Sequence, residues 1–273
     1  MDIGELITDS VNYTQEALVG KWTRWAIFVL FALPFSLIPF VFDPKKFSTG
    51  TTMNWGAIPW GQIAVLAGLG IILSFFLSGY TVRIYRGIKP APDFTEWASL
   101  FVDGVKLAIV WLLWFIPLLI ILVAGISLVF FSYFSARGTA AMAPNFMILG
   151  LVLLLLLVEM ILFIIVMLFG IIGSVRFSRS GSIREGIRFS AIRTTIGNIG
   201  WGAYILAIIG FIVLAIVYAI ATAILGFIPY IGWVIVLVVT PLFTIFSARY
   251  FTVVYDQGEK QPVVPAAEPA PVY

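Results

Sequence analysis

Cysteine and histidine are both absent from this chain of 273 residues. Their absence excludes disulfides, thiol nucleophiles, Cys/His zinc sites and histidine bases. The usual Ser-His-Asp and Cys-His catalytic arrangements are excluded for the same reason. Acidic residues are also few, with 13 Asp and Glu in total, and no Gly-rich phosphate loop has the required strand-turn-helix context. The sequence therefore predicts that the protein is not an enzyme and that it holds no metal and no other cofactor.

Charge of either sign is scarce as well. Only 11% of the residues are charged, whereas a soluble globular protein has about 25%. Hydrophobic residues make up 62% of the chain, and the mean hydropathy is +1.10. The net charge of +3 is too small to indicate nucleic-acid binding. This composition predicts an integral membrane protein in contact with lipid.

Six apolar segments are long enough to cross a bilayer core of roughly 30 Å, which takes about 20 helical residues. They lie near 24–42, 60–80, 106–131, 146–172, 200–225 and 231–255. The fold class that they predict is an all-α integral membrane protein with six transmembrane helices. We divide the chain into an acidic amphipathic N-terminal helix (1–20), a six-span membrane domain (21–257) and a Pro-rich disordered tail (258–273).

The basic residues are distributed unevenly between the two sides of these spans. Of 16 Lys and Arg residues, only Lys45, Lys46 and Arg137 fall on the side opposite the termini. Because basic residues are concentrated in cytoplasmic loops, we expect both termini to be cytoplasmic. The predicted location is the cytoplasmic membrane, as a multi-pass protein.

A threefold pattern runs through the spans. Each even-numbered span ends in an arginine, at Arg83, Arg176 and Arg249, and in the first two copies a second arginine follows at Arg86 and Arg179. Each odd-numbered span is preceded by a polar segment with helical periodicity. These segments lie near 1–20, 94–105 and 182–198. The pattern predicts three related hairpins, each with a short amphipathic helix on the cytoplasmic surface.

The first two surface helices have acidic polar faces, and the third has a basic one. Anionic headgroups would repel the acidic faces, so they are not typical lipid-binding helices. One hypothesis is that they meet the basic cluster at 176–193 or a basic partner protein. The alternative is that they are simply solvated, because exposed ion pairs contribute little to stability.

The arginines at the span ends and in the third surface helix form a candidate contact site for lipid or a partner. Its members are Arg83, Arg86, Arg176, Arg179, Arg184, Arg188 and Arg249. Arginines at this position can bind lipid phosphate, a phosphorylated substrate or an acidic partner. The alternative interpretation is ordinary topological charge that extends to the interface.

Glu159 is an ionisable residue near the middle of the fourth span, in the run LVLLLLLVEMILFIIVMLFG. A charge at that depth costs roughly 2.5–3.5 kcal/mol on insertion scales, so we expect the side chain to face the bundle or water. The functional hypothesis is a relay for protons or cations. The alternative is a neutral carboxyl that hydrogen-bonds a neighbouring helix and contributes roughly 1 kcal/mol.

The run GYTVRIYRG (79–87), followed by FTEWASLFVDGVK (94–106) and a six-span layout, resembles the prokaryotic membrane family named domain of unknown function 4013. The likeness extends over roughly residues 15–255. It implies a cytoplasmic membrane, in particular an archaeal one. It implies no activity and assigns no functional residue.

Two functions remain open from the sequence. The first is a non-enzymatic scaffold or accessory protein that acts at the cytoplasmic face, with a protein partner or a homo-oligomer as its assembly. The second is a small transporter or channel for protons, ions or a small solute, with Glu159 in its pathway.

Overall fold

A computed structural model describes residues 2–49, 52–136, 146–228 and 231–259 of the chain. The first part contains α1 (Ile3–Leu18), α2 (Trp22–Val41), α3 (Pro44–Phe47), β1 (Ser48–Thr49), β2 (Thr52–Met53), a 3₁₀ turn (Trp55–Ala57) and α4 (Trp60–Tyr85). It is followed by α5 (Trp97–Ala136), α6 (Phe146–Ser180), α7 (Ile183–Ile187), α8 (Phe189–Ile199), α9 (Trp201–Gly226) and α10 (Gly232–Glu259). The two short strands pair antiparallel. The predicted tail at 258–273 lies almost entirely outside the described residues.

Six of these helices are long and apolar enough to cross a membrane: α2, α4, α5, α6, α9 and α10. Each coincides with one of the six segments predicted from hydropathy. Their length and composition indicate a multi-pass membrane protein. The helical part of the predicted fold class is therefore confirmed.

The polar segments before the odd-numbered spans differ from the prediction in two places. The second segment is not a separate surface helix, because α5 continues without a break from Trp97 to Ala136. The third segment is divided into α7 and α8 at Arg188, whose ψ of 89° interrupts the helix. Only the first segment folds as one separate helix, α1, which buries Leu6, Tyr13 and Ala17 on a single face.

The core lies at one end of the bundle, where α4, α6 and α10 meet. Fully buried side chains there include Tyr80, Ile84, Ile172 and Tyr250. We call this the arginine end, because Arg83, Arg176 and Arg249 lie in it. In the most apolar 18-residue stretch of α10, 39% of the residues are buried, against 6% in the corresponding stretches of α6 and α9. Helix α10 is therefore the central helix of the bundle.

Candidate functional site

Arg83 is held inside the segment that joins α4 to α5. Its Nη1 donates to the carbonyl oxygen of Asp93 at 3.1 Å and to Oγ1 of Thr95 at 3.2 Å. Its Nη2 donates to the carbonyl oxygen of Thr95 at 2.8 Å and to Oε2 of Glu96 at 3.4 Å. The residue is only 6% exposed. The guanidinium group therefore fixes the connecting segment against the end of α4.

Arg176 has the equivalent role after α6. Its Nη2 lies 2.6 Å from Oε2 of Glu185 on α7, and its Nη1 donates to Oγ1 of Thr195 on α8 at 3.1 Å. One arginine side chain thus holds both short helices against α6. Glu185 also accepts a hydrogen bond from Arg188 at 3.1 Å.

Arg249 joins the last described helix to the first. Its Nε donates to Oδ1 of Asp9 on α1 at 2.6 Å, and its guanidinium lies 5.1 Å from the ring centre of Tyr13. The other oxygen of Asp9 accepts from Nζ of Lys89 at 2.9 Å. The Tyr13 hydroxyl donates to the carbonyl oxygen of Ile88 at 3.0 Å. These contacts fasten α1 to α10 and to the segment after α4.

The three arginines follow one rule. Each pairs with a carboxylate in the polar segment that begins the next unit of the threefold pattern, and the third unit returns to the first. The pairs are Arg83 with Glu96, Arg176 with Glu185 and Arg249 with Asp9. Two further pairs at this end join Arg86 to Asp103 and Arg179 to Asp256. The ion pairs therefore close a circle of three units within one chain.

The second arginines connect α4 and α6 reciprocally. Nε of Arg86 donates to the carbonyl oxygen of Ser178 at 3.2 Å, and Nε of Arg179 donates to that of Tyr85 at 2.7 Å. Each guanidinium thus contacts the backbone just before the other arginine. This exchange holds the ends of the two helices together.

The two sequence runs that carry the family resemblance lie against each other. A Cβ atom at Gly79 would stand 1.9 Å from the carbonyl oxygen of Leu100, and one at Gly104 would stand 1.7 Å from that of Phe75. Both distances are far below van der Waals contact, so only glycine allows α4 and α5 to approach this closely. This close approach explains in physical terms why glycine stands at position 79 of the first run and at position 104 of the second.

Arg24 is a buried residue with a structural role, whereas the sequence showed it only as one of the positive charges at the start of the first span. It is 4% exposed, donates to the carbonyl oxygen of Ala17 at 2.7 Å and pairs with the carboxylate of Asp93. No sequence signal separated it from the neighbouring Lys21, which carries the same charge at the same span end.

Contacts with basic side chains lower the pKa values of three carboxyl groups at the arginine end. The Arg24 hydrogen bond lowers the pKa of Asp93, and hydrogen bonds from Arg176 and Arg188 lower the pKa of Glu185. Burial opposes the charge on Asp9, but the hydrogen bonds from Arg249 and Lys89 outweigh it, so that its pKa is also lowered. These carboxylates are therefore charged at neutral pH.

The hypothesis that the acidic faces contact the basic cluster at 176–193 is wrong for Asp9, which pairs with basic residues elsewhere in the chain. Asp9 contacts Arg249 and Lys89, which lie on α10 and on the segment after α4. The pairing depends on which helices neighbour α1, and hydropathy carries no information about that. Contact of the arginine cluster with lipid or a partner stays a prediction, and Arg184 and Arg188 are among its exposed members.

Glu159 lies far from the arginine end, in the part of α6 that contacts α5. Its Oε1 atom is buried and has no hydrogen-bond partner, while the side chain as a whole is partly exposed. Two hydroxyl groups of other spans, those of Tyr218 and Thr240, hydrogen-bond to each other at 3.4 Å and not to Glu159. The structure therefore does not bring these groups to Glu159.

The six apolar helices indicate a multi-pass helical membrane protein, whose described basic side chains at the arginine end are largely paired within the chain. A family model described as "Protein of unknown function (DUF4013)" matches residues 62–228, more than half of the chain. The chain belongs to this family, as the two sequence runs predict. Comparison with curated proteins and with solved structures gave no match.

Proposed function

We propose that the protein is a non-enzymatic scaffold or accessory protein of the cytoplasmic membrane, built from three related hairpins with both termini in the cytoplasm. In this proposal the arginine end is the surface that binds partners. One observation carries this proposal: the arginine end neutralises its buried charges internally and leaves free charges of opposite sign on two separate surface elements.

The free acidic face belongs to α1. Glu5 and Glu16 are exposed and, within the described part of the chain, form no ion pair. The free basic face belongs to α7 and α8. Arg184 and Arg193 are exposed there and likewise have no acidic partner among the described residues.

These two faces lie on opposite sides of α10. Helix α1 contacts α10 through Arg249, whereas α8 contacts it at Gly258, beside Ile199 and the carbonyl oxygen of Thr195. Nine residues at about 100° each place these two positions half a turn apart on α10. The acidic and basic faces therefore cannot neutralise each other within one chain.

A surface of this kind suits recruitment. The acidic face of α1 is complementary to a basic segment of a partner protein, and the basic face of α7 and α8 is complementary to anionic headgroups. The internal ion pairs hold α1 in place, so that its free face is presented in a fixed orientation.

We expect Glu5→Lys combined with Glu16→Lys to abolish the co-purification of protein partners from mild-detergent extracts. Since neither residue has an internal ion pair, the free energy of unfolding should change by no more than about 0.5 kcal/mol. The matched control reverses two exposed charges at the opposite end, Lys45→Glu with Lys46→Glu, and should keep every complex. Identical complexes in all three proteins would contradict the recruitment proposal.

The orientation of the chain is checked with two single-cysteine variants. The chain has no cysteine, so a single Asn12→Cys or Lys45→Cys gives a unique label site. A membrane-impermeant maleimide should reach position 12 only from the cytoplasmic side and position 45 only from the other side.

Transport through Glu159 is the second candidate, because Oε1 of this residue is buried without a partner. Flux of protons or cations in liposomes that disappears in Glu159→Gln would favour it over the scaffold. We place it second because a relay needs a series of polar groups, and no described side chain hydrogen-bonds Glu159.

A further inference from the structure

The free charges of α1 lie along one line of the helix. Glu5 and Glu16 are eleven residues apart, which at 100° per residue places them within about 20° of each other around the axis. The two carboxylates therefore form an acidic face about 16 Å long. The basic face carries Arg184 on α7 and Arg193 on α8, and both side chains are exposed. In the part of the chain that the structure describes, none of these four side chains forms an ion pair.

Helices α1 and α7 are attached at nearly the same depth of the bundle. The carbonyl oxygen of Gly186 on α7 lies beside Gly173 of α6, where a Cβ atom would stand only 2.3 Å from it. Gly173 precedes Arg179 by six residues, about 9 Å along α6. Arg249, which holds α1, precedes Asp256 by seven residues, about 10 Å along α10. Because Arg179 and Asp256 form an ion pair, the two attachment points are nearly level.

The two faces also lie on different flanks of the bundle. Helix α1 packs on α10 and α2, whereas α7 packs on α6 and α5. All copies of a multi-pass protein share one orientation and one depth in the bilayer, because the same basic residues orient each of them. Two copies that lie side by side can therefore bring the acidic face of one to the level of the basic face of the other.

We propose that the basic partner of the acidic face is the α7–α8 surface of a second copy of this chain. This inference rests on the recruitment function and names its partner. The contact joins two different surfaces, so each copy uses its acidic face toward one neighbour and its basic face toward another. A contact of this heterologous kind repeats from copy to copy and builds a ring or a row within the membrane.

Charge favours a second copy over a lipid surface as the partner. Anionic headgroups attract the basic face but repel the acidic one, whereas neighbouring copies neutralise both faces at once. The copies already share an orientation in the bilayer, so they lose less freedom on association than proteins in solution do. Each exposed ion pair contributes little, and the contribution is repeated at every contact of the assembly.

The test uses two differently tagged copies that are co-expressed and purified through one tag from mild-detergent extracts. Copies of the parent should co-purify. Glu5→Lys with Glu16→Lys makes both faces basic, and Arg184→Glu with Arg193→Glu makes both faces acidic. Each double variant should lose at least about fivefold of its self-association, because like charges then face each other.

Two rescue experiments separate a lost contact from a folding defect. A mixture of the two double variants should co-purify as well as the parent copies do, because opposite charges meet again at every contact. The chain with all four substitutions should associate with itself but not with the parent. As a matched control, Lys45→Glu with Lys46→Glu reverses two charges at the opposite end and should leave self-association unchanged.

Failure of this inference and failure of the recruitment function give different results. The inference is overturned if parent copies do not co-purify, if the mixed double variants do not associate, or if the fourfold variant binds the parent as well as itself. Other proteins that co-purify with the parent and are lost with Glu5→Lys and Glu16→Lys would in that case still support recruitment. Binding of anionic vesicles through the basic face, without any association of copies, would overturn the inference in favour of lipid.

Discussion

Gly79→Ala is expected to lower the free energy of unfolding by about 3 kcal/mol, at the upper end of ordinary overpacking effects. The new Cβ would stand 1.9 Å from the carbonyl oxygen of Leu100. Backbone cannot turn aside as a side chain can, so α4 and α5 must separate. Separation also disturbs the stacking of Tyr80 on Phe94, whose ring centres are 4.6 Å apart. Reversible unfolding in mixed micelles measures the effect.

Gly68→Ala is the matched control for this substitution. Gly68 lies in the same helix, and a Cβ there would meet nothing within 4 Å. Because alanine favours a helix over glycine by about 1 kcal/mol, this variant should be as stable as the parent or more so. Equal effects of the two substitutions would show that α4 and α5 do not approach closely at Gly79.

Arg86→Met is expected to cost about 3 kcal/mol, because it leaves a nearly buried carboxylate without its cation. The side chain of Asp103 is 12% exposed and that of Arg86 is 33% exposed, and their charged atoms are 2.7 Å apart. Asp103→Asn should cost less, since the arginine can reach water when its partner is neutralised. The free energies of unfolding of the two variants should therefore differ clearly.

The double variant isolates the cause. When Asp103→Asn is already present, the site has no carboxylate that could lose its cation. Adding Arg86→Met should therefore lower the free energy of unfolding much less than it does in the parent. The hydrogen bond from Arg86 to Ser178 is lost in both backgrounds and cancels in the comparison. The same cost for Arg86→Met in both backgrounds would mean that the ion pair is not coupled.

The six apolar helices could be predicted because a bilayer core demands a run of about 20 apolar residues. This constraint acts on each segment alone and needs no knowledge of its neighbours. The arginines that end α4, α6 and α10 were likewise visible as a repeated pattern. Their acidic partners were not, since Arg249 and Asp9 are 240 residues apart in the chain, and only the packing of α1 on α10 brings them together.

The extent of α5 shows a different limit. Residues 94–105 have helical periodicity with a polar face, and the span that follows is helical and apolar, so the sequence marks the change of environment at about 106. The sequence does not mark the end of a helix there, because residues 94–105 contain no proline. Gly104 does not end the helix either, since its role is to allow close contact with the backbone of Phe75. A change from polar to apolar surroundings was mistaken for a boundary between two helices.

Glu159 was identified from sequence by its depth, and the structure adds what depth could not give. Its Oε1 atom is buried and has no hydrogen-bond partner, although Leu156 and Phe163, one helical turn away on α6, are exposed. Depth along a span does not determine either property, because both depend on how α6 packs against its neighbours.

The measurement that tests the central claim most directly is a double-mutant cycle on Asp9 and Arg249. The claim is that charges at the arginine end close a circle of three units, with Arg249 returning to α1. We predict a coupling free energy of about 1 kcal/mol or more between Asp9→Ala and Arg249→Ala, within the range for residues in direct contact. Additive effects, to within about 0.5 kcal/mol, would mean that the circle is open at this point and would contradict the claim.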